Sequence, residues 1–476
     1  MKKTQKLFCL LLAVMMILPV LSACNKDGKT PDGTSTDEKI TIAGIEKKNY
    51  GVEFTTVNPE NDNYTNYYWS EDAGNSSNIA IANYEREMAI EEHLGIDIYH
   101  ETLSQTEGVL YATLERCYLS GLDDYQLTFT HPFVDLVSLM NGEFLLDLSE
   151  VSSISMNDEY YNIEIMEGVE YQRHLYLGSS SMILHEPNVI LFNKNVANNY
   201  EGVGEDALYQ HVRDKTWTMD QMFAYAKLVD ISLNETQPSE MFGTYGFVSD
   251  IDTGMCPFVT TNGYMHAYKD SDGIYQLQNF NETIFNIFKK FVSFTDSEYF
   301  YGWKFHQPET KLTMDTGRAF FSTAGLDYMI DQMTASEVPL GVLPYPTIEK
   351  GMTPKNQDYA GYFVLPASIK DPVLSGEVVE LFSYYGETEI RYEFYDVLLG
   401  LRASKVPQDQ EMLEYIFDNL VADPVLAFLN QGSADLSRIY YIVPFMIRDN
   451  EKAMASWYAK YYGLAKAELD KVNGLD

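Results

Sequence analysis

Apolar residues recur along this chain in two rhythms. The first is a short run stopped by Gly or Pro. Gly317-Arg318-Ala319-Phe320-Phe321 breaks at Ala324-Gly325, Val338 to Leu343 is stopped by Pro344-Tyr345-Pro346, and Gly361 to Leu365 ends at Pro366. Runs of this length with such punctuation predict buried strands. Val52–Val57, Gly95–Tyr99 and Tyr125–Thr130 read as strands as well. The second rhythm is helical. Ile81, Tyr84 and Met88 share a face of a helix predicted over Asn78–His93, with Gly95 as its C-cap. Ile284, Ile287, Phe288 and Phe291 form one stripe of a helix over Ile284–Phe294, which reads as core. Thr218 and Gln221 make a capping-box pair, and Trp217 beside them reads as core. Helices are also predicted over Thr113–Gly121, Phe133–Asn141, Val373–Gly386, Glu411–Leu420 and Lys452–Val472, and Asp272-Gly273 predicts a hairpin turn within Tyr268–Leu277.

Strands alternating with helices of this length imply an α/β fold with parallel sheet. Ligands of such sheets bind beyond the carboxyl ends of the strands. That rule directs attention to the polar, aromatic loop after Val57, which holds Tyr68 and Trp69, and to His131 after the strand ending at Thr130.

The amino terminus has a different character. Lys2, Lys3 and Lys6 precede an apolar run from Leu7 to Val20, the layout of a secretory leader. The run is shorter than the ~20 apolar residues of a spanning helix. It closes on Leu21-Ser22-Ala23-Cys24, which matches the bacterial lipobox, so Cys24 is expected to carry the lipid and residues 1–23 to be removed. Residues 24–49, rich in Lys, Asp, Gly, Thr and Ser, read as a flexible spacer. Only Cys117 and Cys256 then remain; they allow one disulfide, but with no cysteine framework the preferred reading is two unpaired buried thiols.

At 476 residues the chain suits two domains, and 45% hydrophobic content supports a large core. Beyond residue 23 there are 30 bases against 70 acids, a surface that repels phosphate backbones and argues against nucleic-acid binding. No zincin, nucleophile-elbow or P-loop motif occurs. Gly202 to Ala207 fits G-x-G-x-x-A, but no strand precedes it and Glu205 and Asp206 would repel a pyrophosphate, so it reads as a loop. Eight histidines show no metal-ligand spacing, and no catalytic set, metal or cofactor is implied. The 36 Tyr, 25 Phe and 4 Trp suit stacking on sugar faces, although most belong to the core; Tyr68, Trp69, Trp303 and Tyr362 lie in polar surroundings.

The order of these segments resembles family 1 of the extracellular solute-binding proteins of ABC importers, which includes the maltodextrin-binding proteins. The resemblance rests on Arg318–Asp327, on Gly341-Val342-Leu343-Pro344-Tyr345-Pro346, on Gly361–Leu365, on Val189–Lys194 and on Thr216-Trp217-Thr218, and it spans nearly all of residues 50–472. It implies a two-lobed type II periplasmic-binding-protein-like fold with the ligand cleft between the lobes. Lobe 1 would hold 50–175 and 361–430, and lobe 2 would hold 180–358 and 435–476, with crossovers near 175–182, 358–364 and 428–438. Gly178 and Gly361 would serve as hinge residues. It also implies a monomeric surface lipoprotein on the extracellular or periplasmic face of the membrane. Such a protein captures a small solute, a carbohydrate or another polar molecule such as a peptide, and hands it to ABC permease subunits. The implied ligand residues are Trp69, His131, Trp303, Gly325, Asp327, Tyr362 and Tyr440. One departure stands out: where the maltodextrin branch has a sugar-stacking Trp, this chain has Asp327, followed by Tyr328. A surface-anchored carbohydrate-active enzyme or a ligand sensor is the alternative.

Overall fold

A computed structural model describes residues 40–59, 78–104, 106, 108–130, 136–230, 244–303, 314, 316–326, 329, 336, 338–394, 406–428, 434–449 and 453–475. The chain divides into two compact units, Met1–Thr41 and Ile42–Asp476, and the elements below belong to the second. It is a mixed α/β structure with several sheets. Among the described residues no helix is long and apolar enough to cross a membrane.

Nine strands make the two larger sheets: β1 (Val52–Pro59), β2 (Ile96–Leu103), β3 (Leu127–Thr130), β4 (Asn188–Asn193), β5 (Tyr245–Asp250), β6 (Phe300–Trp303), β7 (Ala319–Gly325), β8 (Leu340–Leu343) and β9 (Tyr362–Val364). The four-stranded sheet has the order β9-β3-β1-β2. β1 runs parallel to β2 and β3, and β9 joins antiparallel with Tyr362 opposite Thr130. The helix Asn78–Leu94 packs beside β2 and against the helix Pro372–Tyr385. Gly95 ends the first of these at φ 62, in the left-handed region where a side chain is strained. Asp371 caps the second, accepting from the Leu374 amide at 3.0 Å, with Pro372 in the first turn where its missing N–H costs nothing. Phe54, Ile96, Leu127, Phe129, Phe363 and Phe382 gather into the core of this layer.

The five-stranded sheet has the order β6-β5-β7-β4-β8. β5, β6 and β7 are parallel, and β4 is antiparallel to both of its neighbours. The helix Glu282–Thr295 carries the expected stripe, with Ile284, Ile287, Phe288 and Phe291 all buried. Its cap is Asn281, accepting from the Ile284 amide at 3.1 Å. Thr218 caps Met219–Ala226 by accepting from the Gln221 amide, and Trp217 is buried with its Nε1–H donating to the Pro344 carbonyl at 2.9 Å.

The chain passes between the sheets in segments that lie side by side. Gly178 bridges Phe363, and Pro187 bridges Asp358, both antiparallel. Gly178 has no positive φ; what excludes a side chain there is space, since a Cβ would run into the Phe363 ring. Asp358 ties the two segments together. One carboxylate oxygen accepts from the amides of Glu186 (2.8 Å) and Ala360 (3.0 Å), and the other accepts from His185 Nδ1 at 2.7 Å. Burial alone would push this carboxyl up, but His185 and the two amides outweigh it and hold the group below its ordinary value.

Three expectations change. The helix expected over Glu411–Leu420 is Pro407–Phe417, begun by Pro407 in its first turn, and Leu420–Val421 is a short strand beside Asn356–Gln357. That helix packs on β8 of the five-stranded sheet, although residues 361–430 were expected with the other sheet. Asp409 explains the docking: it is fully buried, receives Lys194 Nζ at 2.6 Å and the Val342 amide at 3.0 Å, and also accepts from Tyr209. Gly202–Ala207 is not wholly a loop either, because Gly204 opens the helix Gly204–Arg213, where Glu205 and Asp206 favour the positive end of the helix dipole. Cys117 and Cys256 are free and buried, as expected.

Candidate functional site

Strand register decides which ends of the two sheets meet the crossing segments. β4 starts at Asn188, directly after Pro187, and Asn188 pairs with Gly325 at the carboxyl end of β7. β9 starts at Tyr362, four residues after Asp358, and Tyr362 pairs with Thr130 at the carboxyl end of β3. The carboxyl ends of the parallel strands in both sheets therefore adjoin the crossing segments.

In the five-stranded sheet this edge carries a polar group of residues. Asp250 ends β5, opposite Trp303 at the end of β6. Its carboxylate accepts from the Thr253 amide at 2.8 Å, and burial raises it above the ordinary carboxylate range despite that bond. Behind it, the Ser249 and Thr323 hydroxyls lie 2.8 Å apart. Asp252 faces Arg448 Nη1 at 3.5 Å. The Tyr441 phenol is held well above its ordinary range, by burial first and then by Cys256, Asp252 and Asp250, and its ring packs against Tyr440 and Phe445. The Cys256 thiol is pushed well up by burial and donates to the Asp252 carbonyl at 3.4 Å, an arrangement unsuited to a nucleophile. The group offers carboxylate acceptors, hydroxyls and a guanidinium. Among the described residues no cluster of three or more His, Cys, Asp or Glu side chains could hold a metal ion.

The four-stranded sheet contributes a buried polar set along β1. Thr56 Oγ1 lies 2.8 Å from His100 Nδ1, and His100 Nε2 is 3.2 Å from Glu87. Asn58 accepts from the Phe129 amide at 2.8 Å, closing β1 onto β3. Arg86 is buried, with its guanidinium 4.5 Å from the Phe382 ring, and burial lowers it to about 10.

The residues expected from sequence fall into three groups. Trp69, His131 and Asp327 lie outside the described residues. Gly325 and the main chain of Trp303 belong to the strand-end edge. Tyr362 and Tyr440 are 4% and 1% exposed; Tyr362 is packed in the core, and the Tyr440 hydroxyl lies 3.2 Å from that of Tyr359 with the ring against His266 and Tyr441. Asp250, Asp252 and Arg448 were not singled out. The signal for Asp250 was available, since Tyr245-Gly246-Phe247-Val248 passes abruptly into Ser249-Asp250. No signal in the sequence brings Arg448 to Asp252 across nearly two hundred residues. No protein-family model matches the chain, and no curated protein matches it.

Proposed function

We propose that this chain is a lipid-tethered solute-binding protein of type II two-lobed architecture. One lobe is built on the four-stranded sheet and the other on the five-stranded sheet. A small polar solute, a carbohydrate first among the classes considered, binds between the carboxyl ends of their strands and is passed to an ABC importer on the outer face of the cell membrane. The observation that carries this reading is the antiparallel pairing of the two crossing segments, Gly178 with Phe363 and Pro187 with Asp358, beside the strand ends of both sheets. A narrow double connection of this kind suits hinge closure, in which a ligand touching both lobes favours the closed state. The polar edge of Asp250, Asp252 and Arg448 supports a hydrogen-bonding ligand. The leader and the lipobox cysteine Cys24 support tethering.

The test is melting in the presence of monosaccharides, oligosaccharides and oligopeptides, with chemical analysis of each after incubation. One class should raise the melting temperature, by the equivalent of ~2.7 kcal/mol at a hundredfold excess over Kd, and be recovered unchanged. Accumulating cleavage products would overturn the reading in favour of a carbohydrate-active enzyme, and absence of any shift across the panel would remove it. For the tether, Cys24→Ser should abolish incorporation of labelled palmitate.

A further inference from the structure

A second concavity lies at the crossing segments and includes none of the strand-end residues described above. It has a volume of about 340 Å³. Its three sides come from three parts of the fold. Ile183, Leu184 and His185 of the first crossing segment form one. Asn162 to Ile165 and the turn carrying Glu387 and Arg391 form the second, on elements that pack with the four-stranded sheet. Phe417, Asp418 and Leu420 form the third, at the end of the helix docked on the five-stranded sheet.

The second side has an uncommon backbone. Gly386–Ile390 continues the helix Pro372–Tyr385 as a π-helix, a rare winding that is frequent at functional sites. Gly386 is required there, because a Cβ would meet the Ser181 carbonyl. Glu387 accepts from the Ser181 hydroxyl at 2.5 Å and from Arg391 Nη1 at 2.6 Å.

The lining discriminates among ligands. The isoleucines, Leu184, Phe417 and Leu420 supply an apolar surface. Glu159, Glu164, Glu387 and Asp418 surround it, against the single guanidinium of Arg391, which Glu387 already engages. The field therefore repels anions. His185 Nε2 and the Asn162 amide, 3.3 Å apart, add hydrogen-bonding groups at the side nearest the crossing. We propose that this cavity is a binding site for a small organic ammonium ion with an apolar body. Its cation would face the Glu164 and Asp418 carboxylates, and its hydrocarbon would lie on Ile183, Leu184 and Phe417. The size is at the small end for ligand sites, which suits a molecule of a single ring.

Calorimetric titration of the protein with cyclohexylammonium, cyclohexanol and cyclohexanecarboxylate tests this. Cyclohexylammonium should bind saturably, the carboxylate should not bind, and the alcohol should bind at least about tenfold more weakly. The double variant Glu164→Gln/Asp418→Asn, in which both positions are exposed, should weaken the ammonium probe by about tenfold or more. The same change at Asp272→Asn, on an exposed hairpin turn, should leave it unaltered. Equal binding of alcohol and ammonium, absence of saturable ammonium binding, or an unaltered double variant would each overturn the proposal. None of these outcomes bears on solute capture at the strand ends.

Discussion

Lys194 Nζ lies 2.6 Å from Asp409 Oδ2, and both side chains are buried. This pair fixes the helix Pro407–Phe417 to the sheet at the end of β4, across more than two hundred positions of sequence. Burial raises the Asp409 carboxyl, and Lys194 is the strongest influence opposing that rise. Lys194→Met should therefore leave a buried charge uncompensated and cost about 3–5 kcal/mol in denaturant unfolding at neutral pH. With Lys194 gone, the carboxyl takes a proton more readily in the folded state. The cost should shrink as the pH is lowered, and a loss that stayed constant with pH would refute the charge argument.

Asp358 gives the opposite sign. Its folded-state value is held below the ordinary 3.8, so its contribution to stability is present above that value and is lost as pH falls through the lower, folded value. Asp358→Asn should cost about 2 kcal/mol at neutral pH, the worth of charge-assisted hydrogen bonds to His185 and two amides. The deficit should narrow in strongly acid solution, where the parent carboxylate also becomes protonated. Urea titrations at neutral and acid pH check both statements.

Asp250 should show the conflict between stability and binding. Its carboxyl is raised by burial, so the associated stabilisation exists below the ordinary 3.8 and is lost as pH rises through the folded value. At neutral pH the ionised group burdens the unliganded protein. Asp250→Asn keeps the acceptor for the Thr253 amide and should raise the melting temperature without ligand. On the proposed function, the same variant should bind the solute about tenfold more weakly, the worth of one hydrogen bond to a charged group. A variant no more stable than the parent would sink the first half of this prediction.

Gly178→Ala tests whether the crossing needs space. The added methyl meets the Phe363 ring, and overpacking of this kind costs about 1–3 kcal/mol. Phe363→Leu in the same chain should restore part of the loss. If Gly178→Ala alone left the melting temperature unchanged, the close approach would not be a constraint.

Much of the local structure was legible in order along the chain. Gly95 stops its helix, Thr218 caps its own, and the stripe from Ile284 to Phe291 faces inward, because caps and periodicity act over a few residues. The apolar runs at Leu340–Leu343 and Tyr362–Val364 are strands for the same reason. Which sheet each one enters was decided elsewhere. β9 leaves the second half of the chain to pair with β3, and β7 inserts between β5 and β4, through hydrogen bonds made between distant segments. Pro407–Phe417 shows the limit most clearly. Its periodicity reports a helix but not its neighbour, and its place depends on a buried carboxylate finding Lys194 and the Val342 amide. The strand-end carboxylates follow the same rule. Asp250 and Asp252 are two acids among 70 in the sequence, and only packing raises the first and sets Arg448 beside the second. Local propensity is a property of neighbouring residues, whereas desolvation and charge compensation belong to groups that meet only when the chain is folded.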